Sequence, residues 1–215
     1  MINDELIKRI LSSIMLIPLV LFFIIQGSFL FNFFIIICFL ISSYEWIKIS
    51  KKFLYKILGL FFLIFSFYTI FKIRIEFEEN YFYLLFVILI CISTDIGGFV
   101  FGKIFKGPKL TKISPNKTIS GSFGGFLLSI LSIKVFLYYY SDLIFFKFSQ
   151  EIFLFIIIIS FISQIGDIII SFFKRKSKIK NTGNIIPGHG GILDRIDGMI
   201  FAFPFSYFLF LNWNF

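Results

Sequence analysis

The chain has 215 residues, of which 58% are hydrophobic and only 15% are charged. This composition excludes an ordinary water-soluble globular domain, in which about 25% of the residues are charged. The net charge of +9 is compatible with binding to nucleic acid, but the positions of the cations along the chain indicate membrane topology instead.

Apolar runs of about 20 residues recur along the chain, and each is long enough to cross a hydrocarbon core of about 30 Å as a helix. They predict an all-α, polytopic integral membrane protein with about seven transmembrane helices. The predicted spans are 8–25, 29–49, 53–72, 81–102, 121–140, 152–173 and 199–214. No small-residue cleavage site follows the first run, so we expect a membrane helix there rather than a signal peptide. Because no linker or repeat divides the sequence, we expect a single membrane domain over 1–215.

The cations cluster in alternate connections between these spans. Most of the 21 Lys and Arg residues lie at the start of span one, around the connection between spans two and three, after span four and after span six. The connections 73–80 and 141–151 are mainly acidic. By the positive-inside rule this pattern predicts a multi-pass protein of the cell (inner) membrane with a cytoplasmic N-terminus, and no nucleic-acid partner. The same cations could also bind anionic lipid head groups or a polyphosphate.

Polar side chains occur inside spans four and six, where a charged group costs about 3 kcal/mol at the bilayer centre. In span six they recur three or four residues apart and share a helix face: Ser160, Ser163, Gln164, Asp167, Ser171 and Lys174. In span four the residues that share a face are Thr94, Asp95, Gly98 and Gly102. Two interpretations stay open: close helix packing, which we favour for the serines and glycines alone, and the lining of a polar cavity, which we favour for Asp167. Glu45, next to Trp46, is interpreted as an anchor at the membrane interface.

The densest polar segment runs from Ser171 to Asp197. It contains lysines and arginines, a Pro187–Gly191 turn whose glycines allow backbone N–H groups to converge on an anion, and carboxylates that suit a divalent cation. Asp194 and Asp197 are three residues apart, so on a helix leading into span seven they would share one face. The single histidine, His189, excludes a zinc site built on paired histidines. The segment therefore predicts a phosphate-handling site at the cytoplasmic side of the membrane.

This segment resembles the signature of the phosphatidate cytidylyltransferases, also called CDP-diacylglycerol synthases. The residues that match the signature are Ser171, Lys174, Arg175, Lys180, Gly183, Pro187, Gly188, His189, Gly190, Gly191, Asp194, Arg195 and Asp197. Upstream, residues 93–103 and 113–118 are similar to two further stretches of the family, D-x-x-A-Y-x-x-G-K and I-S-P-K-K-T. The resemblance thus covers nearly the whole chain, although members of the family are commonly longer and have more spans.

The resemblance implies transfer of CMP from CTP to phosphatidate for phospholipid biosynthesis, with release of pyrophosphate. The residues that we expect to act in catalysis are Asp167, Lys174, Arg175, Asp194 and Arg195. The residues that we expect to bind substrate are Asp95, Lys117, Ser171, Lys180, Gly188, His189, Gly190 and Gly191. The expected cofactor is Mg²⁺, held by Asp167, Asp194 and Asp197, with a second cation left open. The resemblance also implies a homodimer.

Two departures from the family pattern each remove a negative charge. Asn181 stands where the family usually has Asp after the second lysine of the signature, and Ser120 stands where it usually has Glu. Because of these two departures, a third interpretation stays open, in which the chain is an inactive member of the family. Two other functions also stay open: a CTP-dependent enzyme acting on another lipid, such as a polyprenol or phytol kinase, and a membrane transporter. The polar residues argue against the transporter, because they concentrate near one membrane surface rather than at the midplane.

Overall fold

A computed structural model describes residues 4–77, 81–111, 114, 117–140, 148–188 and 190–213. Within these residues the chain is helical and contains no β-sheet, which confirms the all-α prediction. The helices of the described chain are α1 (Asp4–Gln26), α2 (Ser28–Ile49), α3 (Phe53–Glu76), α4 (Tyr81–Phe105), α5 (Ile119–Tyr139), α6 (Gln150–Lys176), α7 (Leu193–Ile196) and α8 (Met199–Asn212). Two isolated antiparallel bridges, Lys109 with Thr118 and Ile186 with Gly190, close turns in the connections.

Five helices of the described chain are long and apolar enough to cross a membrane. They are Phe29–Ile49, Phe53–Glu76, Tyr81–Phe105, Ile119–Tyr139 and Gln150–Lys176. These helices confirm the second to the sixth of the predicted spans. The first and last predicted spans correspond to shorter apolar helical stretches, Ile14–Gln26 and Met199–Asn212, so the total of about seven spans stays a prediction.

Large apolar side chains are exposed along these helices. Phe29, Phe99 and Tyr138, on three different helices, are 78%, 70% and 79% exposed. Such surfaces are unfavourable in water but are at no disadvantage against lipid tails, which are themselves apolar. The exposed side chains therefore agree with a multi-pass membrane protein.

The contacts of the chain group into two compact units, which are described separately. In order, they comprise Met1–Phe71 with Phe173–Ile196, and Lys72–Phe172 with Asp197–Phe215. In the first unit α2 contacts α1 and α7. Trp46 of α2 donates from Nε1 to the backbone oxygen of Tyr55 at 3.0 Å and packs edge-on against Phe173. These contacts position the end of α2 beside the last turn of α6 and beside α7. The single domain expected from the sequence stays a prediction.

Glycines allow α4 and α5 to pack closely in the second unit. Gly97 lies against the backbone of Gly124, and a Cβ at position 97 would overlap with the carbonyl group of Gly124. A Cβ at Gly121 would come within 2.6 Å of the carbonyl oxygen of Gly98. Small residues at a membrane helix interface allow two backbones to approach in this way.

Candidate active site

Asp194 connects the polar loop that follows α6 to a lysine in the last turn of that helix. Nζ of Lys174 donates to Oδ1 of Asp194 at 2.9 Å. The other oxygen, Oδ2, accepts the backbone N–H of Thr182 at 2.7 Å and that of Gly191 at 3.0 Å. The side chains of Lys174 and Asp194 are 11% and 4% exposed, so the pair is largely removed from water. Removal of one partner would leave the other as a buried, uncompensated charge.

The same contacts set the ionisation of Asp194. Burial by itself would raise the pKa of the carboxyl group, because desolvation disfavours the charged form. Hydrogen bonds from Gly191, Lys174 and Thr182, together with the positive charge of Lys174, outweigh burial and lower the pKa below its ordinary value. Asp194 is therefore a carboxylate at neutral pH.

Glu45 of α2 binds this loop as well, and its side chain is buried, with 1% of the residue exposed. Its Oε2 accepts the backbone N–H of Leu193 at 2.8 Å and the hydroxyl of Thr182 at 2.8 Å. Its Oε1 accepts the backbone N–H of Ile192 at 3.1 Å. The prediction that Glu45 anchors the chain at the membrane interface is wrong, because the carboxylate points into the protein and is bonded there. The sequence did contain a signal for the buried contact of Glu45, because a lone carboxylate in an apolar helix needs a polar partner. The sequence contained no comparable signal that Thr182 is that partner.

The glycine-rich turn between these contacts is closed by a backbone bridge. The N–H of Ile186 donates to the oxygen of Gly190 at 2.9 Å, and the N–H of Gly190 donates back at 3.1 Å. Gly188 and Gly190 have φ angles of 75° and 92°, in the left-handed region that favours glycine. His189 lies outside the described residues, and its predicted contact with substrate stays a prediction.

Backbone N–H groups of this loop converge on anions, and in this structure the anions are carboxylates of the protein. Two N–H groups donate to Asp194 and two donate to Glu45. The sequence interpretation assigned such groups to a substrate phosphate. The predicted substrate contacts of Gly188, Gly190 and Gly191 stay predictions.

A second pair of lysine and carboxylate lies in the second unit. Lys117 forms an ion pair with Oδ2 of Asp167, and both side chains are 25% exposed. The hydroxyl of Ser171 donates to Oδ1 of the same aspartate at 3.3 Å. Ser171 and Asp167 meet because residues four apart on a helix lie on one face.

The connection before α5 positions Lys117. The N–H of Leu110 donates to the backbone oxygen of Lys117 at 2.8 Å. The next residue, Thr118, caps α5, and its side-chain oxygen accepts the N–H of Gly121 at 3.1 Å. A capped helix and a bridged connection fix the backbone on both sides of the lysine. Residues 112, 113, 115 and 116, which belong to the stretch similar to I-S-P-K-K-T, lie outside the described residues.

Other polar residues of α4 and α6 join helices within the second unit. The hydroxyl of Thr94 donates to Oγ of Ser160 at 2.8 Å, and the two residues are 2% and 0% exposed. Ser122 of α5 and Gln164 of α6 also bond each other. For Ser160 the packing interpretation is confirmed, and Thr94, Ser122 and Gln164 also join helices. For Thr94 and Ser160 the structure shows helix packing and not the lining of a cavity.

The remaining predicted residues fall in both units. In the first unit Arg175, Lys180 and Arg195 are exposed. In the second unit Asp95 is exposed on α4, and Asp197 is buried. The predicted roles of these five residues in catalysis, substrate binding or metal binding stay predictions.

The prediction that Asp194 and Asp197 share one helix face is wrong. The helix that contains Asp194 ends at Ile196, and α8 begins at Met199. Oδ1 of Asp197 accepts the N–H of Gly198 at 3.0 Å. A side chain that bonds the local backbone competes with helix formation, and glycine is a poor helix former, so the chain turns at these two residues.

The carboxylates suit a magnesium ion that is held partly by substrate. Among the described residues no three His, Cys, Asp or Glu side chains converge as a ready-made metal site. Mg²⁺, however, is usually bound by one or two carboxylates together with waters and substrate phosphates. A carboxylate offers about four acceptor positions, and contacts within the described residues use three on Asp194 and two on Asp167. Each of these two carboxylates, taken by itself, therefore has the chemistry of a Mg²⁺ ligand.

Comparison with known proteins finds a family and named relatives. The model of the cytidylyltransferase family matches residues 51–213. A phosphatidate cytidylyltransferase of Rickettsia typhi is 36% identical over 206 residues, which cover 94% of this chain and 90% of that protein. One of Rickettsia felis is 35% identical over 215 residues, with 96% and 93% covered. One of Staphylococcus epidermidis is 43% identical over 131 residues, 59% of this chain and 48% of that protein. The chain thus spans about half the length of the staphylococcal relative and nine tenths of the rickettsial ones.

Proposed function

The chain belongs to the cytidylyltransferase family, and we propose that it transfers CMP from CTP to phosphatidate, forming CDP-diacylglycerol and pyrophosphate. The observation that carries the proposal is the Lys174–Asp194 pair, held by the loop that bears the residues of the signature. The rickettsial relatives, which align with most of this chain, are named for the same activity.

The chemistry of the reaction explains why cations and carboxylates are needed. An oxygen of phosphatidate forms a bond to the α-phosphorus of CTP, and the bond from that phosphorus to the departing pyrophosphate breaks. A phosphate monoester has a second pKa of about 6, so at neutral pH the nucleophile is mostly a dianion and needs little general-base help. The obstacle is the repulsion between two polyanions and the charge that develops on pyrophosphate. Positioned cations lower that obstacle.

Lys174, Arg175 and Arg195 are the proposed phosphate contacts of the first unit. The ammonium of Lys174 is oriented by its bond to Asp194, and the two arginines are exposed to an approaching polyanion. In the second unit Lys117 has the corresponding role. Further proposed substrate contacts are Asp95, Ser171, Lys180, Gly188, His189, Gly190 and Gly191.

Mg²⁺ is the proposed cofactor, with Asp167, Asp194 and Asp197 as ligands and a second cation left open. When bound, it supplies positive charge to phosphate oxygens and to the departing pyrophosphate. The lowered pKa of Asp194 supports this role, because a ligand of Mg²⁺ has to be ionised.

We propose that the protein forms a homodimer in the inner membrane, with its N-terminus and active site on the cytoplasmic side. Lys48, Lys51 and Lys52 are exposed near the end of α2, and Lys103 and Lys106 near the end of α4. Exposed lysines at these helix ends support the cytoplasmic assignment of the two connections. The homodimer rests on the family resemblance.

The test is an assay of the purified protein with labelled CTP and phosphatidate, with and without Mg²⁺. We expect CDP-diacylglycerol and pyrophosphate in equal amounts, and only with the metal present. A lipid kinase would instead produce CDP and a phosphorylated lipid from a lipid alcohol. A transporter would move its substrate across vesicles without releasing pyrophosphate. Either result would overturn the proposed function.

The two departures from the family pattern offer a second test. Asn181 lies beside the glycine-rich turn: a Cβ added at Gly190 would lie 3.1 Å from the Cβ of Asn181. We expect Asn181→Asp to lower the Mg²⁺ concentration needed for half-maximal activity, because it adds a negative charge near Asp194. If the wild type forms no product and both Asn181→Asp and Ser120→Glu restore it, the chain is an inactive member.

A further inference from the structure

Glu45 has no part in the proposed phosphate chemistry, yet it is a carboxylate that is 1% exposed. A buried carboxylate is unfavourable unless hydrogen bonds compensate for its lost hydration. Its donors among the described residues come from one loop: the hydroxyl of Thr182 and the backbone N–H groups of Ile192 and Leu193. One carboxylate of α2 thus holds the loop at Thr182 and at the point where it enters α7.

The contacts of Glu45 and those of Asp194 use the same short backbone segments. Thr182 donates its hydroxyl to Glu45 and its backbone N–H to Asp194. Gly191 donates to Asp194, and its neighbour Ile192 donates to Glu45. Because Asp194 also accepts the ammonium of the α6 lysine at 2.9 Å, hydrogen bonds of the loop connect Glu45 to that ammonium.

The glycines of the loop leave room for the Glu45 carboxylate. A Cβ at Gly191 would overlap with both carboxylate oxygens of Glu45 and with the hydroxyl of Thr182. A Cβ at Gly183 would lie 2.5 Å from Oε1 of Glu45. Neither glycine has a positive φ, so the need for glycine at these positions comes from the close approach of the carboxylate. The loop is shaped around a side chain of α2.

We infer that Glu45 is a positioning residue for the proposed cytidylyl transfer. By holding Thr182 and the backbone N–H groups of Ile192 and Leu193, it fixes the loop that orients Asp194 and, through Asp194, the ammonium of Lys174. Glu45 itself does not contact substrate. The inference rests on the proposed function.

The first experiment compares Glu45→Gln with the wild type. The amide keeps the shape of the side chain but replaces one acceptor oxygen with an NH₂ group that faces an N–H or O–H donor. We expect the KM for CTP and the Mg²⁺ concentration for half-maximal activity to rise about 10-fold, with a lower kcat, since a bond to a charged group is lost. A smaller folded fraction would lower kcat at constant KM. Glu151→Gln, at an exposed acid of α6, is the matched control and is expected to be unchanged.

The second experiment uses Thr182, where a milder change tests the same contact. Thr182→Val removes the hydroxyl but keeps the backbone N–H, whereas Thr182→Ser keeps both. We expect the valine variant to raise the KM for CTP about 3-fold, in line with the loss of one hydrogen bond, and the serine variant to resemble the wild type. The double variant with Glu45→Gln is expected to be no worse than Glu45→Gln alone. Multiplied effects, or an unchanged KM in Glu45→Gln and Thr182→Val, would overturn the inference.

Hydrogen exchange gives a measurement that does not require turnover. In Glu45→Gln the amides of Thr182, Gly191, Ile192 and Leu193 are expected to exchange faster than in the wild type, while those of α4 and α5 are unchanged. Unchanged exchange in the loop would show that Glu45 does not hold it. If the wild type forms no CDP-diacylglycerol, the proposed function fails by itself, and the exchange result alone decides whether Glu45 holds the loop.

Discussion

The Lys174–Asp194 pair of the first unit and the Lys117–Asp167 pair of the second have the same chemical groups in different surroundings. The first pair is almost buried, and its carboxylate also accepts two backbone N–H groups. In the second pair each side chain is 25% exposed, and the aspartate accepts from the side chains of Lys117 and Ser171. The Lys174–Asp194 pair is thus bonded to the backbone of a loop, whereas the contacts of the Lys117–Asp167 pair are with side chains.

This difference separates the effects of substitution on stability from those on activity. A buried pair with backbone donors cannot lose a partner without disturbing the loop around it. A partly exposed pair contributes about 1 kcal/mol or less, so its lysine can move from the aspartate to a substrate phosphate at little cost. Substitutions in the first pair should therefore affect folding and turnover together, and substitutions in the second should affect turnover with little effect on folding.

The largest effect is expected for Asp194→Asn. The substitution removes the charge that pairs with Lys174 and replaces one acceptor oxygen with an NH₂ donor. We expect the free energy of unfolding to fall by about 3 kcal/mol and CMP transfer to fall by a factor of about 1,000, since the loop that holds Lys174 and a proposed metal ligand are affected together. Thermal unfolding in detergent and the CDP-diacylglycerol assay measure the two effects. Wild-type turnover across a range of Mg²⁺ concentrations would exclude Asp194 as a metal ligand.

The next effect tests the second pair. For Lys117→Ala and Asp167→Asn we expect kcat/KM to fall about 100-fold, because each removes a group that would act on phosphate charge. The free energy of unfolding should change by about 1 kcal/mol or less. If either variant unfolds as readily as Asp194→Asn, the second pair is also part of the framework, and the contrast between the two units disappears.

The sequence predicted the elements of the fold better than the contacts of the site. The five long helices follow from apolar runs, because the thickness of a membrane sets the length of such a run. Within the site, the contact of Ser171 with Asp167 also follows from the sequence, because residues four apart on a helix lie on one face. The contact of Glu45 with Thr182 joins residues 137 positions apart, and no local pattern encodes it. The predicted helix through Asp194 and Asp197 failed because a side-chain bond to Gly198 ends the helix there.

A smaller effect concerns the pH dependence of stability. The pKa of Asp194 is lowered in the folded protein, so its stabilising effect is fully present above the ordinary aspartate pKa of about 3.9. As the pH falls below that value, the carboxyl group of the unfolded chain is protonated first. The stabilising effect therefore decreases progressively and is gone once the pH is below the lower pKa of the folded protein. We expect the melting temperature of the wild type to fall more steeply below about pH 4 than that of Asp194→Asn. Parallel curves for the two proteins in acid would contradict the lowered pKa.

The smallest effect is expected in the packed polar residues of the second unit. Thr94→Val and Ser160→Ala each remove the hydrogen bond between α4 and α6. Interhelical bonds of this kind contribute about 0.6 kcal/mol on average in membranes, so unfolding should change by that amount, and Thr94→Ser should behave as the wild type. CMP transfer should stay within about threefold of the wild type, because a bond worth about 0.6 kcal/mol corresponds to a factor of nearly three. A large loss of activity with unchanged stability would show that these buried hydroxyls act on substrate, and the division between framework and chemistry would then have to be drawn elsewhere in the second unit.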